Sequence, residues 1–309
     1  LSFNQPNFSS TVNWNSIGIT FANESIVGQR PLAIFVNTNN TVYVANQEEN
    51  EIVMWEEGST NPTKINHGNF INPLSLFVTS NGDIYIADFS NNGQVQKWIS
   101  TTNEFVAVMN VKSSCYGLFV DITDNLYCSM GNHHQVVKTW LNDPVMTSII
   151  VAGTGIKGSN SNQLSYPRGI FVDVSLDLYV ADCDNHRVQL FQLGNSNGIT
   201  VAGSQSPNPT ISLSCPTGIV LDDEKYLFIV DSFNDRIVGS GVNGFRCLIG
   251  CYGGGSQSNE LSVPFSLSFD RSGNMFVTDQ LNHRIQQFQL LENSCGKLKK
   301  KLNKMMKSE

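Results

Sequence analysis

The sequence predicts an all-β fold: a six-bladed β-propeller of four-stranded antiparallel blades, closed by an N-terminal strand. Three observations predict it: a short β-rich unit occurs six times, turn residues separate its strands, and these units show no helical period. The length of 309 residues allows two ordinary domains or one large repetitive domain. Because the units succeed one another along the chain, a single ring of blades accounts for them best.

The first two strands of each unit are the easiest to recognise. An aromatic residue marks the second strand, at intervals of 42 to 52 residues, in the order Tyr43, Tyr85, Tyr127, Tyr179, Phe228 and Phe276. An apolar segment precedes each of them, at 32–36, 74–78, 116–120, 168–172, 217–221 and 265–269. Five of these six segments follow a proline, which suits the beginning of a strand and not its interior. We expect the apolar segments to be the innermost strands.

Two further strands complete the unit. Segments 187–191 and 284–288 alternate apolar and polar residues, which indicates a half-buried third strand, and segments 149–153, 199–203 and 245–250 supply the fourth. The last unit ends after its third strand, whereas residues 18–22 precede the first unit and match 198–202 closely. We therefore expect the N-terminal strand to complete the last blade and remove an exposed sheet edge.

The domain prediction has three parts: an N-terminal extension at 1–16, the propeller at 17–291 and a basic tail at 292–309. The extension contains the apolar residues Phe3, Phe8, Val12 and Trp14. The tail has the spacing of a basic amphipathic helix that would lie on an anionic membrane or on the acidic body of another copy, through Leu298, Leu302, Met305 and Met306. The alternative for the tail is a solvated, disordered end.

Charge is distributed unevenly along the chain. The last 14 residues hold six lysines, whereas residues 1–295 carry 13 positive and 25 negative charges, a net of −12. An acidic body repels phosphate backbones, so nucleic-acid binding by the propeller is not expected. Only 15% of residues are charged and 35 are Asn, a composition that favours an extracellular protein. Since the sequence begins at Leu1 with neither an initiator Met nor a signal pattern, we expect a processed product or a fragment.

A recurring motif gives these units a family resemblance. Its best copy consists of Pro167, Arg168, Gly169, Asp173, Tyr179, Asp182, Asn185, His186 and Arg187, and a second copy contains Asp279, Asn282, His283 and Arg284. Residues 17–290 resemble NHL repeats, a family named for an Asn-His-Leu stretch. The first repeat has Asn46 and Glu51 instead of the Asp and Arg, and the third has Met130 and Gln135. The resemblance implies a propeller, but the family includes adhesion modules, RNA-binding domains, a metal-using lyase and calcium-dependent esterases.

The acidic and basic residues of the motif invite two interpretations. Each Asp/Arg pair spans a tight turn, and a feature that recurs in every good repeat serves the blade more often than a unique site. We therefore interpret the pairs as braces of the blade turns rather than as an anion-binding ring. The residues concerned are Asp182, Arg187, Asp231, Arg236, Asp279 and Arg284.

Candidate catalytic and metal-binding residues are few. The chain has five histidines, His67, His133, His134, His186 and His283, and three of them occupy equivalent turn positions of different blades. Such positions lie around the ring and do not converge, so we predict solvent-exposed turn residues, no metal site and no cofactor. The innermost strands contain no His, Asp or Glu, and no catalytic residues are predicted. Arg168 and Tyr116 are the nearest polar candidates, and we assign them a structural or ligand-contact role.

Seven cysteines predict three bridges and one leftover thiol. Cys183 and Cys215 are expected on the same rim of neighbouring blades, and Cys115 and Cys128 on adjacent strands. The glycine between Cys247 and Cys251 would let these two close a small loop. Cys295 then remains unpaired, which suggests an intermolecular bond or a modified thiol. Seven reduced thiols in a cytosolic protein are the alternative.

Three N-glycosylation sequons begin at Asn7, Asn23 and Asn39. Together with the predicted bridges they favour export. We therefore predict a secreted, non-enzymatic NHL-type propeller, an extracellular recognition or scaffold module whose partner is a protein or glycan ligand or further copies of itself. A second hypothesis is a structural subunit that assembles with itself into oligomers or filaments through the N-terminal segment, Cys295 or the tail. A third is a metal-dependent lyase or hydrolase.

Overall fold

The computed structural model describes residues 2–65, 70–89, 93–207, 211–241 and 243–291. Within them the chain forms six four-stranded antiparallel sheets, so the predicted six-bladed propeller is confirmed. The first three blades have their strands in sequence order from the axis outward. Blade 1 consists of Ile34–Val36, Val42–Asn46, Glu51–Trp55 and Thr63–Ile65. Blade 2 consists of Pro73–Val78, Ile84–Asp88, Gln94–Ile99 and Glu104–Asn110. Blade 3 consists of Gly117–Val120, Asn125–Met130, Gln135–Trp140 and Ile149–Gly153.

The other three blades repeat this pattern, except that the last one contains strands from both ends of the chain. Blade 4 consists of Pro167–Val172, Leu178–Asp182, Arg187–Phe191 and Ile199–Ala202. Blade 5 consists of Pro216–Leu221, Leu227–Asp231, Arg236–Gly241 and Gly244–Ile249. Blade 6 consists of Pro264–Phe269, Met275–Asp279 and Arg284–Phe288, with Ile19–Ala22 as its outer strand.

The N-terminal strand closes the ring as predicted. Ile19 pairs with Gln287 and Ala22 with Ile285, in an antiparallel register. A second, unpredicted contact reinforces this closure, because Asn13–Trp14 forms a two-stranded sheet with Leu290–Leu291. The two ends of the described chain are therefore held together by backbone hydrogen bonds.

In the residues that the structure describes, helical structure is confined to single turns. One α-helical turn covers Glu24–Val27, and four 3-10 turns join second to third strands at Gly131–His133, Cys183–Asn185, Ser232–Asn234 and Gln280–Asn282. No helix in the described ranges is long and apolar enough to cross a membrane.

Neighbouring blades are joined close to the axis. The Thr278 hydroxyl donates to the carbonyl oxygen of Leu32 at 3.1 Å, and the Ser75 hydroxyl donates to that of Cys115 at 2.9 Å. Gly169 allows the closest approach, because a Cβ at this position would lie 2.4 Å from the carbonyl oxygen of Thr217. These contacts fix the innermost strands and therefore the shape of the two mouths of the central channel.

Candidate functional site

The N-terminal segment closes one mouth of the central channel. Phe3 lies there and is only 9% exposed. Its ring is edge-on to three rings from neighbouring innermost strands, with centroid separations of 6.3, 5.4 and 5.4 Å to Phe77, Phe119 and Phe171. The next residue, Asn4, donates from Nδ2 to carbonyl oxygens of blades 1 and 6 at 2.8 and 3.0 Å. We call this end of the propeller the plugged face.

The rest of the segment is also held by its own propeller. Phe8 and Trp14 are 5% and 4% exposed, and they pack against Phe228 and Phe269 of blades 5 and 6. The Trp14 Nε1 donates to the carbonyl oxygen of Gly273 at 2.8 Å. The apolar side chains that distinguish residues 2–16 in the sequence are therefore buried within the same molecule.

The opposite mouth is lined by the residues at which the innermost strands begin. One residue per blade contributes, in the order Leu32, Leu74, Tyr116, Arg168, Thr217 and Phe265. Arg168 is the only charged member of this ring. We call this mouth the arginine mouth, and the surface around it the arginine face.

The Arg168 guanidinium lies among aromatic rings. Its Cζ is 4.6 Å from the ring centroid of Tyr116, 4.7 Å from that of Tyr166 and 5.4 Å from that of Phe265. Phe265 belongs to blade 6, so the side chain extends from blade 4 across the mouth. The hydroxyls of Tyr116 and Tyr166 are hydrogen bonded to each other at 2.6 Å. Cation–π attraction holds the guanidinium in this cage.

The same guanidinium lacks a polar partner. Its Nε is buried and has no hydrogen-bond partner among the residues that the structure describes. Burial lowers the pKa of the Arg168 side chain, and the neighbouring Tyr166, Tyr116 and Asp184 oppose this effect. Asp184 is itself paired with Lys157 at 3.1 Å. The arginine mouth therefore carries an uncompensated positive charge in a body with a net charge of −12.

A small cavity lies inside the channel behind this mouth. Its volume is about 80 Å³, and Tyr116 and Phe265 line both the cavity and the guanidinium cage. Gly117, Gly169 and Gly218 also line it. The cavity is large enough for a carboxylate group or a few water molecules.

Exposed apolar side chains surround the arginine mouth. Phe89, Phe233 and Leu281 lie at the tips of the turns between second and third strands of blades 2, 5 and 6, and they are 59%, 62% and 43% exposed. The inter-blade loops on the same face add Ile156 at 67% and Tyr252 at 92%. Aromatic and aliphatic side chains placed in this way around a pocket are typical of an interaction surface.

The Asp/Arg pairs brace the loops that lead to this face. Arg187 Nε donates to Asp182 at 2.8 Å, and the two side chains are 3% and 0% exposed. The guanidinium also donates to carbonyl oxygens of the loop between blades 3 and 4, those of Ser159, Asn160 and Gln163. Burial raises the pKa of Asp182, although its hydrogen bonds oppose this effect. The pairs of blades 5 and 6 have the same geometry, with N–O distances of 2.8 Å for Arg236–Asp231 and 2.6 Å for Arg284–Asp279.

The turn histidines connect neighbouring blades instead of converging. His134 Nδ1 accepts the backbone N–H of Tyr166 at 3.1 Å, and His186 Nδ1 accepts that of Cys215 at 3.1 Å. His283 makes the same contact with the N–H of Arg30 at 3.2 Å. His186 is exposed as expected, whereas His134 and His283 are half-buried. In the described part of the chain, no group of three His, Cys, Asp or Glu side chains is arranged to hold a metal ion.

The less regular repeats achieve related contacts with other residues. In blade 1 the Asn46 amide donates to Glu51 at 3.1 Å, and Asn50 takes the histidine position by accepting the N–H of Asn72 at 2.7 Å. In blade 3 the Gln135 amide contacts the Met130 sulfur at 3.7 Å. The connection between blades is therefore retained where the charges of the motif are not.

Three disulfides are present, between the pairs that the sequence predicts. The Cα separations are 5.2 Å for Cys115–Cys128, 3.9 Å for Cys183–Cys215 and 5.7 Å for Cys247–Cys251. The second joins the turn of blade 4 to the beginning of blade 5. In the third, Gly250 bends the chain as expected, with a φ of +70° that L side chains rarely adopt.

The sequons are accessible. Asn7, Asn23 and Asn39 are all exposed, and Asn7 and Asn39 lie on the plugged face. Cys295, His67 and the tail residues 292–309 lie outside the described residues. The fifth histidine, His133, is hydrogen bonded through Nδ1 to the Ser113 hydroxyl at 2.9 Å.

A larger groove of about 720 Å³ lies on the plugged face between blades 2 and 3. Three of its four charged groups have partners, because Lys97 pairs with Asp83 at 2.7 Å and Asp121 accepts the backbone N–H groups of Thr123 and Asn125; the fourth is Asp124. The arginine mouth is the stronger candidate, since it has an unsatisfied charge.

Sequence reasoning identified Arg168 and Tyr116 and missed two other residues. Tyr166 precedes the strand proline and has a left-handed φ of 54°, a backbone geometry without a clear sequence signal. Phe3 was singled out only as an apolar residue of the extension. The available signal for the mouth was Arg168 itself. At the equivalent position, the other blades have Leu, Tyr, Thr or Phe.

Comparison with known proteins agrees with this architecture. The NHL repeat family model matches residues 70–98 and 164–191. A curated relative, Protein SUPPRESSOR OF QUENCHING 1, chloroplastic, from Arabidopsis thaliana, is 22% identical over 206 residues, which are 56% of this chain and 19% of the relative. The chain thus spans about a fifth of that protein.

Two solved structures illustrate the range of proteins with this fold. An auxiliary nutrient binding protein from Bacteroides thetaiotaomicron VPI-5482 superposes with a TM-score of 0.66 at 13% identity, over 94% of this chain and 76% of that one. A streptogramin B lyase gives a TM-score of 0.63 at 16% identity, over 90% and 98%. The fold and its mouths define a disulfide-bonded, six-bladed propeller. The two motif matches and the closed ring of six blades together support an NHL-repeat propeller family for this chain.

Proposed function

We propose that this chain is a secreted, non-enzymatic recognition module that binds its ligand on the arginine face. The observation that carries the proposal is the unpaired Arg168, caged by aromatic rings at the centre of a face with exposed apolar turn tips. Arg168 is half-buried and has no counter-ion within the described residues, so a ligand that supplies a negative charge would add a favourable interaction.

The disulfides and sequons support the extracellular part of the proposal. Three disulfides in one domain are typical of an oxidising compartment. Two of the three sequons lie on the plugged face, so glycans attached at Asn7 and Asn39 would leave the arginine face accessible. The same arrangement assigns different tasks to the two faces.

The chemistry of the arginine mouth supports binding rather than catalysis. Its ring consists of aliphatic and aromatic side chains, one Thr and one Arg, whereas general acid–base catalysis needs a group that exchanges protons near neutral pH. The similarity to a streptogramin B lyase, at 16% identity, concerns the fold. Self-assembly by donation of the N-terminal segment is also less favoured, because Phe3, Phe8 and Trp14 are buried within their own propeller.

A ligand array tests the proposal. The glycosylated protein is applied to arrayed extracellular proteins and glycans, beside a Phe89→Ser/Phe233→Ser variant that removes two apolar turn tips from the arginine face. Trp140→Ser serves as the matched control, because Trp140 is 52% exposed and ends a strand on the plugged face. We expect binding that the double variant loses and the control keeps. Binding that only Trp140→Ser abolishes would contradict the proposal.

Export is tested on material from the natural source. Peptide mapping without reduction should recover the three linked Cys peptides, and mass shifts are expected at Asn7, Asn23 and Asn39. Seven alkylatable thiols and unmodified sequons would exclude the secretory part of the proposal.

A further inference from the structure

We propose that the arginine mouth binds the C-terminal carboxylate of a partner protein whose last residues are apolar. This inference rests on the proposed function and adds the chemical class of the ligand. It depends on three features of the arginine face. These are the aromatic surroundings of the Arg168 guanidinium, the place of the mouth on the propeller axis and the apolar side chains around it.

The guanidinium of Arg168 matches a planar, singly charged anion in shape and in charge. Tyr116 and Tyr166 lie within 4.7 Å of its centre and cover its Nε, while the side chain as a whole is only half-buried, so a ligand would meet its terminal N–H groups. A carboxylate matches the fork of N–H groups with two parallel hydrogen bonds. In an apolar cage a singly charged carboxylate is also less costly to desolvate than a doubly charged phosphate.

The position on the axis favours a chain end. The turns of the blades surround the mouth, and their tips carry Phe89, Phe233 and Leu281. An internal Asp or Glu would have to bring two flanking chain segments past these tips, whereas a C-terminus needs room for one. The cavity of about 80 Å³ behind the mouth shares Tyr116 and Phe265 with the guanidinium cage and offers space for a small ligand group.

The surface around the mouth determines the preferred neighbours of the carboxylate. The exposed side chains Phe89, Ile156, Phe233, Tyr252 and Leu281 are aromatic or aliphatic. Apolar residues that precede the C-terminus would cover them, and burial of such area contributes to affinity. A sugar acid would instead need hydrogen-bond partners for its hydroxyl groups. The acidic body, at a net −12, disfavours a polyanionic ligand.

The test uses a pool of hexapeptides with random last four positions, prepared as free acids and as C-terminal amides. The full-length, disulfide-bonded protein is immobilised, and bound peptides are identified by mass spectrometry. We expect enrichment of free acids with apolar last residues. For a representative peptide we expect at least about tenfold weaker binding by Arg168→Met and a smaller loss by Arg168→Lys, which keeps the charge without the fork.

A matched control separates the cage from general surface charge. Lys112→Met removes an exposed positive charge from the loop between blades 2 and 3 on the same face, and we expect its affinity to stay within about twofold of the parent. Circular dichroism and thermal unfolding confirm that each variant is folded. Equal capture of acid and amide pools, or unchanged affinity of Arg168→Met, would overturn the inference.

The two proposals fail in different ways. If the array detects a ligand that depends on the apolar turn tips but the peptide acids do not bind, the recognition function stands and the carboxylate assignment is wrong. If glucuronate binds more tightly than the free peptides, a sugar acid replaces the C-terminus and the inference is also overturned. If peptide acids bind and no extracellular protein or glycan does, the proposed function fails instead.

Discussion

The two mouths of the channel are closed by opposite means. At the plugged face the N-terminal segment fills the mouth with Phe3, whose neighbours are other phenylalanines. At the arginine face the mouth is crossed by Arg168, which has aromatic neighbours but no counter-ion among the described residues. The first arrangement maximises stability, whereas the second leaves a charge whose interactions are incomplete. This difference is the reason for placing the proposed ligand at the arginine face.

The largest effect is expected for a paired arginine of the same blade, which provides the reference for Arg168. Arg187→Met leaves Asp182 buried without its ion pair and frees the loop between blades 3 and 4. The free energy of unfolding should fall by about 3 to 5 kcal/mol, as measured by urea denaturation. A loss below about 1 kcal/mol would show that this pair does not brace the loop.

Loss of the plug should have the next largest effect. Phe3→Ala removes a buried ring that touches three neighbouring rings, and the free energy of unfolding should fall by about 3 kcal/mol. Ile17→Ala is the control, because Ile17 is 58% exposed in the same part of the chain. Equal stabilities of the two variants would remove the contrast between the mouths.

At the arginine mouth we expect a substitution to stabilise the protein rather than destabilise it. Arg168→Met removes an unpaired charge from an apolar cage, so the free energy of unfolding should rise by about 1 kcal/mol in spite of the lost cation–π contacts. Arg168→Lys keeps a charge there and should give no gain. A decrease of about 3 kcal/mol, as expected for Arg187→Met, would identify Arg168 as a structural brace and not as part of a site.

The smallest effect on stability is expected from the hydrogen bond between His134 and the backbone of Tyr166, and it depends on pH. Burial lowers the pKa of His134, and the neighbouring Lys157 acts in the same direction. Its Nδ1 accepts the N–H of Tyr166, which requires the unprotonated nitrogen. The folded pKa lies below the unfolded value of about 6.5, so this stability is present above pH 6.5 or so and is lost as the pH falls through the folded pKa.

A substitution found elsewhere in the ring isolates this contribution. His134→Asn reproduces blade 1, where Asn50 makes the equivalent contact with Asn72 through an amide oxygen that does not titrate. Between pH 7.5 and 5 the variant should lose less stability than the parent, by about 1 kcal/mol or less. Parallel stability curves for the two proteins would contradict this role of His134.

The features that recur in every repeat could be predicted from the sequence, whereas features that occur once in the chain could not. Six repeats of strand and turn residues define the blades, and the match between 18–22 and 198–202 identifies the closing strand. By contrast, Phe3 contacts phenylalanines of blades 2, 3 and 4, so no local pattern predicts its position. The strand Asn13–Trp14 was missed for the same reason, because its partner lies almost 280 residues away.

The candidate site shows the same division. The sequence places Arg168 and Tyr116 at the beginnings of innermost strands, which follows from the repeat register. Arg168 also extends as far as Phe265 of blade 6. This contact depends on the closed ring and on side-chain packing, and the repeat register predicts neither of them. The turn histidines were assigned to solvent because a turn position gives no indication of the N–H group that the next blade presents.

Closure by the N-terminal strand has a consequence during synthesis. Ile19–Ala22 has no partner until Arg284–Phe288 leaves the ribosome, about 260 residues later. At about 5 to 20 residues per second this interval lasts roughly 10 to 50 s. During it Phe8 and Trp14 have no completed surface to cover them, since their partners include residues of blades 5 and 6. These two apolar side chains therefore wait for the last blades before they can be buried.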